Sequence, residues 1–246
     1  MKVRTLFISD VHLGTIKCQA EILLNVLRDY EFEELIIIGD FIDLIALKRK
    51  FYWKNSHSNV IQKILKLSKK GVKVTYILGN HDYFMRDLIK EENIKLGDIL
   101  ICDEIEYTTI KGEKIYICHG DQFDGFIRLH PFLYNLGDWI YEFSIKINKT
   151  YNIIRKFCGL NYWSLSQYLK SNVKNAIKYL NDFRKLSYLK TIEKGCDSIM
   201  IGHIHTPEII QMEDKTYYNT GDFCETCSFL YEDISGEIKL INLTNT

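Results

Sequence analysis

Proline is scarce in this chain: only Pro131 and Pro207 occur among 246 residues. Turn-making falls to glycine and asparagine, and no low-complexity linker or repeat divides the chain. Net charge is absent too, because 32 Lys and Arg offset 32 Asp and Glu. With no whole-molecule field to gather nucleic acid, any charge argument must be local. No apolar run approaches the ~20 residues of a spanning helix, so an integral helical membrane protein is not expected, whereas contact with a bilayer surface stays open. The seven cysteines have no paired spacing beyond Cys224 and Cys227, and Asp10 interrupts the first apolar stretch, so no secretory signal is read there. Reduced thiols and a cytoplasmic location are the expectation. A single Cys pair lacks the other half of a zinc site, which makes small strand-packing thiols the better reading.

What the chain does have is apolar mass, 46% hydrophobic and 13% aromatic residues, enough for a sizeable core. From Val3 to Ile117 short β-rich runs alternate with helical patterns: Val3 to Ile8, a helix near Ala20 to Tyr30, Leu35 to Ile38, a helix near Val60 to Ser68, then Val72 to Leu78. That alternation is α/β with parallel strands. From about Phe126 to Lys194 the pattern turns helical, with Leu165, Leu169, Val173, Ile177 and Leu180 spaced by three or four residues. Strands return at Ser198 to Ile201, Thr216 to Tyr218 and Ser228 to Tyr231. The expected organisation is a core of residues 1–124 and 196–246 carrying a helical cap insertion, 125–195.

The cap is basic, with twelve Lys and Arg against four Asp and Glu, so the rest of the chain carries the compensating acid. A cap that holds an anionic ligand over a body that holds cations would show this segregation. Lysines as ordinary solvated helix faces would show it as well.

Five short clusters stand at strand ends, each with a side chain able to bind metal. They are Ser9-Asp10-Val11-His12, Gly39-Asp40-Phe41-Ile42-Asp43, Gly79-Asn80-His81-Asp82, His119-Gly120-Asp121 and Gly202-His203-Ile204-His205. Ligands of open α/β sheets gather beyond the carboxyl ends of the strands, so five such tips can converge on one spot. Oxygen and imidazole donors without thiolate suit Mn, Fe or Zn, whereas an all-oxygen set would favour Mg or Ca. Seven donors exceed the needs of one ion, and two ions sharing a carboxylate use them economically. Such a centre ionises a bridging water near neutral pH and attracts a phosphate oxygen. For Asp43, Asp82 and Asp121, turn and helix capping competes with orienting imidazoles or the loop backbone. His57 and His130 lack any such context and read as surface or helix-start residues.

The ordered set DxH, GDxxD, GNHD, a lone His and GHxH resembles the calcineurin-like metallophosphoesterase superfamily, over nearly the whole chain from Asp10 to about Glu225. The resemblance implies an α/β/β/α sandwich of two mixed sheets. It implies two divalent cations, Mn by preference with Fe or Zn as alternatives. Asp10, His12 and His205 would hold one, Asn80, His119 and His203 the other, with Asp40 between. It also implies in-line attack on phosphorus by a hydroxide held between the ions. His81 would stabilise the transition state or protonate the leaving oxygen.

Within the superfamily the chain looks most like the UDP-2,3-diacylglucosamine hydrolases of lipid A synthesis. The features are His119-Gly120-Asp121, the helical insertion after it, and Gly202-His203-Ile204-His205 followed by Thr206-Pro207. Members of that group cleave a pyrophosphate to UMP and a lipid sugar phosphate under a helical lid. Phe126, Leu133, Trp139 and Phe143, beside basic Arg128, Lys170 and Lys174, suit an amphiphilic anion. The partner expected is thus an anionic phosphoester, lipid-linked in this reading, with peripheral contact to the inner face of the membrane and no nucleic acid. The sequence departs at His81, where the characterised members carry Arg; a soluble phosphodiester, nucleotide or phosphomonoester is the alternative substrate, and a scaffold without activity is the remaining class.

Overall fold

The computed structural model describes residues 1–89, 93–124 and 165–245, the side chains of 87–88, 165–177 and 245 apart. It divides into two compact units, residues 1–122 with 187–246, and residues 123–186.

The first unit is built on two mixed sheets. β1 (Thr5–Ile8), β2 (Glu34–Ile38), β3 (Lys73–Ile77) and β5 (Ile99–Cys102) run parallel; β4 (Ile94–Leu96) pairs antiparallel with β5, β11 (Ser228–Glu232) antiparallel with β1, and β12 (Ile238–Asn242) antiparallel with β11, in a sheet of order β12-β11-β1-β2-β3-β5-β4. In the second sheet β7 (Lys114–Cys118), β8 (Ser198–Ile201) and β10 (Lys215–Asn219) are parallel, flanked by antiparallel β6 (Glu104–Thr108) and β9 (Glu208–Met212).

Why the inner strands read as unbroken apolar runs follows from what covers them. Leu6, Ile8, Leu35, Ile37 and Val74 bury one face of the first sheet in a cluster with Leu23 and Leu27 of α1 (Ala20–Asp29) and Val60 and Ile64 of α3 (Asn55–Lys69). The alternate residues Phe7, Ile36, Ile38 and Ile77 meet Ile115, Ile117, Met200 and Tyr218 of the second sheet. Parallel strands covered on both faces lose the alternating pattern of a half-exposed sheet. On the outer face of the second sheet, the last turns of α5 (Leu165–Lys194) set the Lys194 ammonium 4.9 Å from the centre of the Tyr116 ring, with Ser187 and Thr191 fully buried. Helices thus flank both sheets of this unit.

Two short helices follow strand tips: α2 (Leu44–Arg49) after β2 and α4 (Arg86–Ile89) after β3. In the second unit Phe123 meets Phe183 edge-on at 5.5 Å, and the Tyr179 hydroxyl donates to Asp124 Oδ1 at 2.9 Å. No helix among the described residues is long and apolar enough to cross a membrane.

Candidate metal centre

All five clusters lie at the carboxyl ends of parallel strands: Asp10 and His12 after β1, Asp40 and Asp43 after β2, Asn80 and His81 after β3, His119 after β7, His203 and His205 after β8. Past the strand ends the chains keep pairing irregularly. The Asp10 amide donates to Gly39 O, the His12 amide to Asp40 O, and the Phe223 amide to Asp10 O.

The backbone there is unusual. Among the described residues seven non-glycine positions have positive φ, and five of them are Asp10 (48°), His12 (50°), Asp40 (50°), His203 (67°) and His205 (52°). Left-handed backbone costs a β-carbon-bearing residue of order 1 kcal/mol, and such strain concentrates where side chains are aimed for function. Two glycines make the close approach feasible. A β-carbon on Gly202 would overlap Asp10 and Ser9, and one on Gly39, itself at φ 76°, would overlap the His119 ring.

The side chains meet. Asp10 is fully buried; its Oδ2 accepts from Ser9 Oγ and from the His203 amide at 2.9 Å. Its Oδ1 is buried without a hydrogen bond, 3.2 Å from His205 Nε2 and 3.9 Å from His12 Nε2. Asp40 Oδ1 accepts from the His81 amide at 2.8 Å, while Oδ2 stands 3.4 Å from His119 Nε2 and 3.9 Å from His12 Nε2. One carboxylate oxygen therefore faces imidazoles from both sheets. Asn80 Oδ1 lies 3.2 Å from His119 Nε2, and the His119 and His203 rings are edge-on at 5.1 Å. The Nδ1 of His119 donates to Ile38 O at 2.9 Å, which turns its Nε2 toward the centre.

Two groups of donor atoms lie mutually within 4.8 Å at this point: Asp10, His12 and His205, and Asp10, Asp40 and His119. A third, His12, Asp43 and His81, adjoins them. A buried, unpartnered carboxylate oxygen among imidazole nitrogens is costly unless something positive completes it. The donor set fits a divalent cation.

The acids the sequence offered as supports divide by partner. Asp43 takes His12 Nδ1 at 3.1 Å on Oδ2 and accepts the Ala46 amide at 2.7 Å on Oδ1, which also stands in ion-pair range, 2.8 Å, of His81 Nδ1. It orients two imidazoles and caps α2 at once. Asp82 accepts from the Ile42 and Gly79 amides, both at 3.3 Å, and so fixes loops. Asp121 forms a two-pronged pair with Arg86 at 2.6 and 2.9 Å rather than binding an imidazole, and Arg86 also donates to Leu78 O. Arg128 lies outside the described residues, as does Trp139, and Lys170 and Lys174 fall where side chains are not described.

Two residues, Arg86 and Asp222, escaped the sequence reading, and His57 was placed without its partners. Arg86 ties the β3 and β7 loops together. Asp222, fully buried, gathers the amides of Cys224, Glu225 and Thr226 and lies 3.7 Å from His205 Nδ1. His57, also buried, accepts the Gly14 amide at 3.3 Å and the Lys54 amide at 3.4 Å on its Nδ1, pinning the loop after His12 to the start of α3. It is a helix-start residue, as read, and it is internal rather than on the surface.

Charge at the centre is mutually compensated. Burial works against charging His119, but Asp40, Asp10 and Asp121 push its pKa up to about 10. His205 rises to about 9 in the same way, against burial, through Asp10, Asp222 and Asp40. Asp10 is driven well below the usual carboxylate range despite burial, by His205, His119 and His12. Asp82, by contrast, is raised to about 6 by burial and by the neighbouring Asp40.

A two-sheet sandwich with carboxylate, amide and imidazole donors converging at its strand tips is the architecture of a metal-dependent phosphoesterase. The chain belongs to the calcineurin-like phosphoesterase family, which matches it over residues 3–207. It is a phosphoesterase, and the family implies divalent metal ions. The chain is 26% identical over 259 residues to the UDP-2,3-diacylglucosamine hydrolase of Aliivibrio fischeri (strain MJ11), covering 93% of this chain and 94% of that protein. It is 32% identical over 121 residues to the hydrolase of the same name from Neisseria gonorrhoeae, a match that spans 47% of each chain. Among solved structures it is similar to Yfce, a phosphoesterase from E. coli, with a TM-score of 0.46 and 15% identity over 96% of this chain and 97% of that one.

Proposed function

We propose that the protein hydrolyses the pyrophosphate of a UDP-diacylglucosamine-like lipid sugar, releasing UMP, with two divalent cations held by Asp10, His12, Asp40, Asn80, His119, His203 and His205. The observation that carries the centre is Asp40 Oδ2, which faces His12 of one sheet and His119 of the other. The substrate rests on the similarity to the Aliivibrio hydrolase, which extends over nearly the whole of both chains. When bound, the cations lower the pKa of water and absorb charge on the phosphoryl oxygens; Mn is the first choice, with Fe or Zn as alternatives.

The chain's own residues supply position and protons. Asp43 hydrogen-bonds the Nδ1 of His12 and lies 2.8 Å from the Nδ1 of His81, so each ring presents Nε2 inward. His81 Nε2, 3.9 Å from Asp40 Oδ2, is the atom from which a proton passes to the leaving oxygen. In this reading the helical insertion binds the substrate, Arg128, Lys170 and Lys174 taking its anionic part and the apolar residues around Trp139 its acyl chains. The enzyme works at the inner face of the membrane.

The test is release of UMP from synthetic UDP-2,3-diacylglucosamine by Mn-loaded protein, followed by phosphorus NMR. Trp139→Asp should abolish that turnover and spare hydrolysis of a small chromogenic diester. The second reading, a soluble phosphodiester, is favoured by His81 in place of the Arg of the characterised hydrolases. It prevails if the diester is cleaved and no UMP appears.

A further inference from the structure

We propose that residues 44–54, with the neighbouring Phe84 and Ile16, form a docking surface for an anionic lipid bilayer on the first unit itself, apart from the helical insertion. The sequence supplies the charge. Between Asp43 and Asp82 the chain has nine Lys and Arg and no acidic residue, so the body outside the insertion is not evenly acidic. Lys48, Arg49, Lys50 and Lys54 of that run are all exposed.

The structure adds unburied apolar groups at the same place. α2 leaves Leu44, Ile45, Ala46 and Leu47 only half-buried. Phe51, directly after it, is 76% exposed, among the most exposed large hydrophobic residues described. The Lys48 ammonium lies 5.2 Å from the centre of the Phe84 ring, which stacks at 4.0 Å on Tyr83, and both rings are exposed. A β-carbon on Gly14 would stand 2.7 Å from Leu47 Cγ, so the loop bearing exposed Ile16 runs beside α2.

Clustered cations interleaved with exposed aromatic and aliphatic side chains are what an interfacial segment needs: the cations meet headgroup phosphates while the apolar groups enter the acyl boundary. The strongly basic insertion is a poor electrostatic match for so basic a patch. A nucleic acid would use the cations but leave Phe51 and Ile16 without an apolar phase. α2 also starts at Asp43, whose carboxylate holds His12 and His81, so a bilayer docked here would lie next to the catalytic histidines. Delivery of a lipid-linked substrate by this route rests on the function proposed above; the docking does not.

The experiment is co-sedimentation of Mn-loaded protein with vesicles of phosphatidylcholine alone or with about a third phosphatidylglycerol. Each Lys or Arg near an anionic leaflet is worth roughly fivefold in partitioning, so the Lys48→Gln, Arg49→Gln, Lys50→Gln variant should bind the anionic vesicles about a hundredfold more weakly. Phe51→Ser should weaken binding by several-fold with all the charges kept. Both variants should keep wild-type melting temperature and wild-type turnover of the small soluble diester. Failure of the wild type to prefer anionic vesicles, or equal binding by the triple variant, overturns the proposal. So does charge-dependent binding to single-stranded RNA in the absence of vesicle binding. If the triple variant loses vesicle binding while the wild type releases no UMP, the docking proposal stands and the lipid-sugar reading falls; UMP release with vesicle binding unchanged in the variant does the reverse.

Discussion

The two sheets bring unlike chemistry to one centre. The seven-stranded sheet contributes both carboxylates, Asp10 and Asp40, together with His12, Asn80 and His81, whereas the donors of the five-stranded sheet, His119, His203 and His205, are all imidazoles. Each carboxylate reaches across: Asp10 to the His203 amide and toward His205, Asp40 toward His119. Negative charge on one side and chargeable nitrogen on the other would let protons clasp the sheets wherever a cation has been removed. The same atoms let a cation replace those protons. Access differs within the five-stranded side itself, since the His119 side chain is fully buried and that of His205 is 36% exposed.

Asp40→Asn strikes this asymmetry hardest. It should lower kcat by at least about a hundredfold while a non-hydrolysable substrate analogue still binds within a few-fold of wild type. Equal losses in kcat and in the inhibition constant of the analogue would show that the bridging carboxylate has no special role. Asp43→Ala should lower metal affinity by roughly 10–100-fold, because it releases His12 and His81 on the first-sheet side. Titration with Mn monitored by paramagnetic resonance would measure it, and an unchanged affinity would assign Asp43 to helix capping alone.

Proton exchange gives a graded effect. His119 and His205 have pKa values raised to about 10 and about 9 from 6.5 in the cation-free protein. Their contribution to stability is therefore complete below about pH 6.5 and is lost as pH rises through 9 to 10. The melting temperature of chelator-treated protein should fall over that range more steeply than that of Mn-loaded protein, whose centre no longer depends on those protons, and calorimetry should record proton release on Mn binding. Parallel melting curves would contradict the exchange. The smallest effect belongs to His57→Leu, which removes the acceptor for the Gly14 amide. A several-fold fall in kcat should follow, partly restored in His57→Asn, whose side-chain oxygen can accept the same bond.

Much of this was legible in the sequence because it is local. Apolar runs ending in Asp, Asn or His located the strand tips and the donors at their ends. Edge strands were harder: β9 alternates partly buried with exposed residues and β12 is only half-buried throughout, so neither shows a strong apolar signal. α2 escaped notice because four consecutive apolar residues carry no helical period. α3 starts five residues before the rhythm at Val60, because backbone bonds through His57 begin it at Asn55. The Arg86–Asp121 pair joins residues 35 apart in the chain, a distance at which no pattern speaks. Nor did the ligand motifs reveal that five donors sit on left-handed backbone. That these residues stand at strand tips was readable; the conformation that aims them was not.

β1, the strand that presents Asp10, is paired on one side with β2 and on the other with β11, in the register Thr5 to Glu232. A ribosome delivering this chain from its amino end must therefore finish almost all of it before Asp10 acquires both neighbours, and His203 and His205 emerge late as well. Premature capture of metal by a half-made chain is disfavoured by connectivity alone: β1 and the late strand β11 close the cage together.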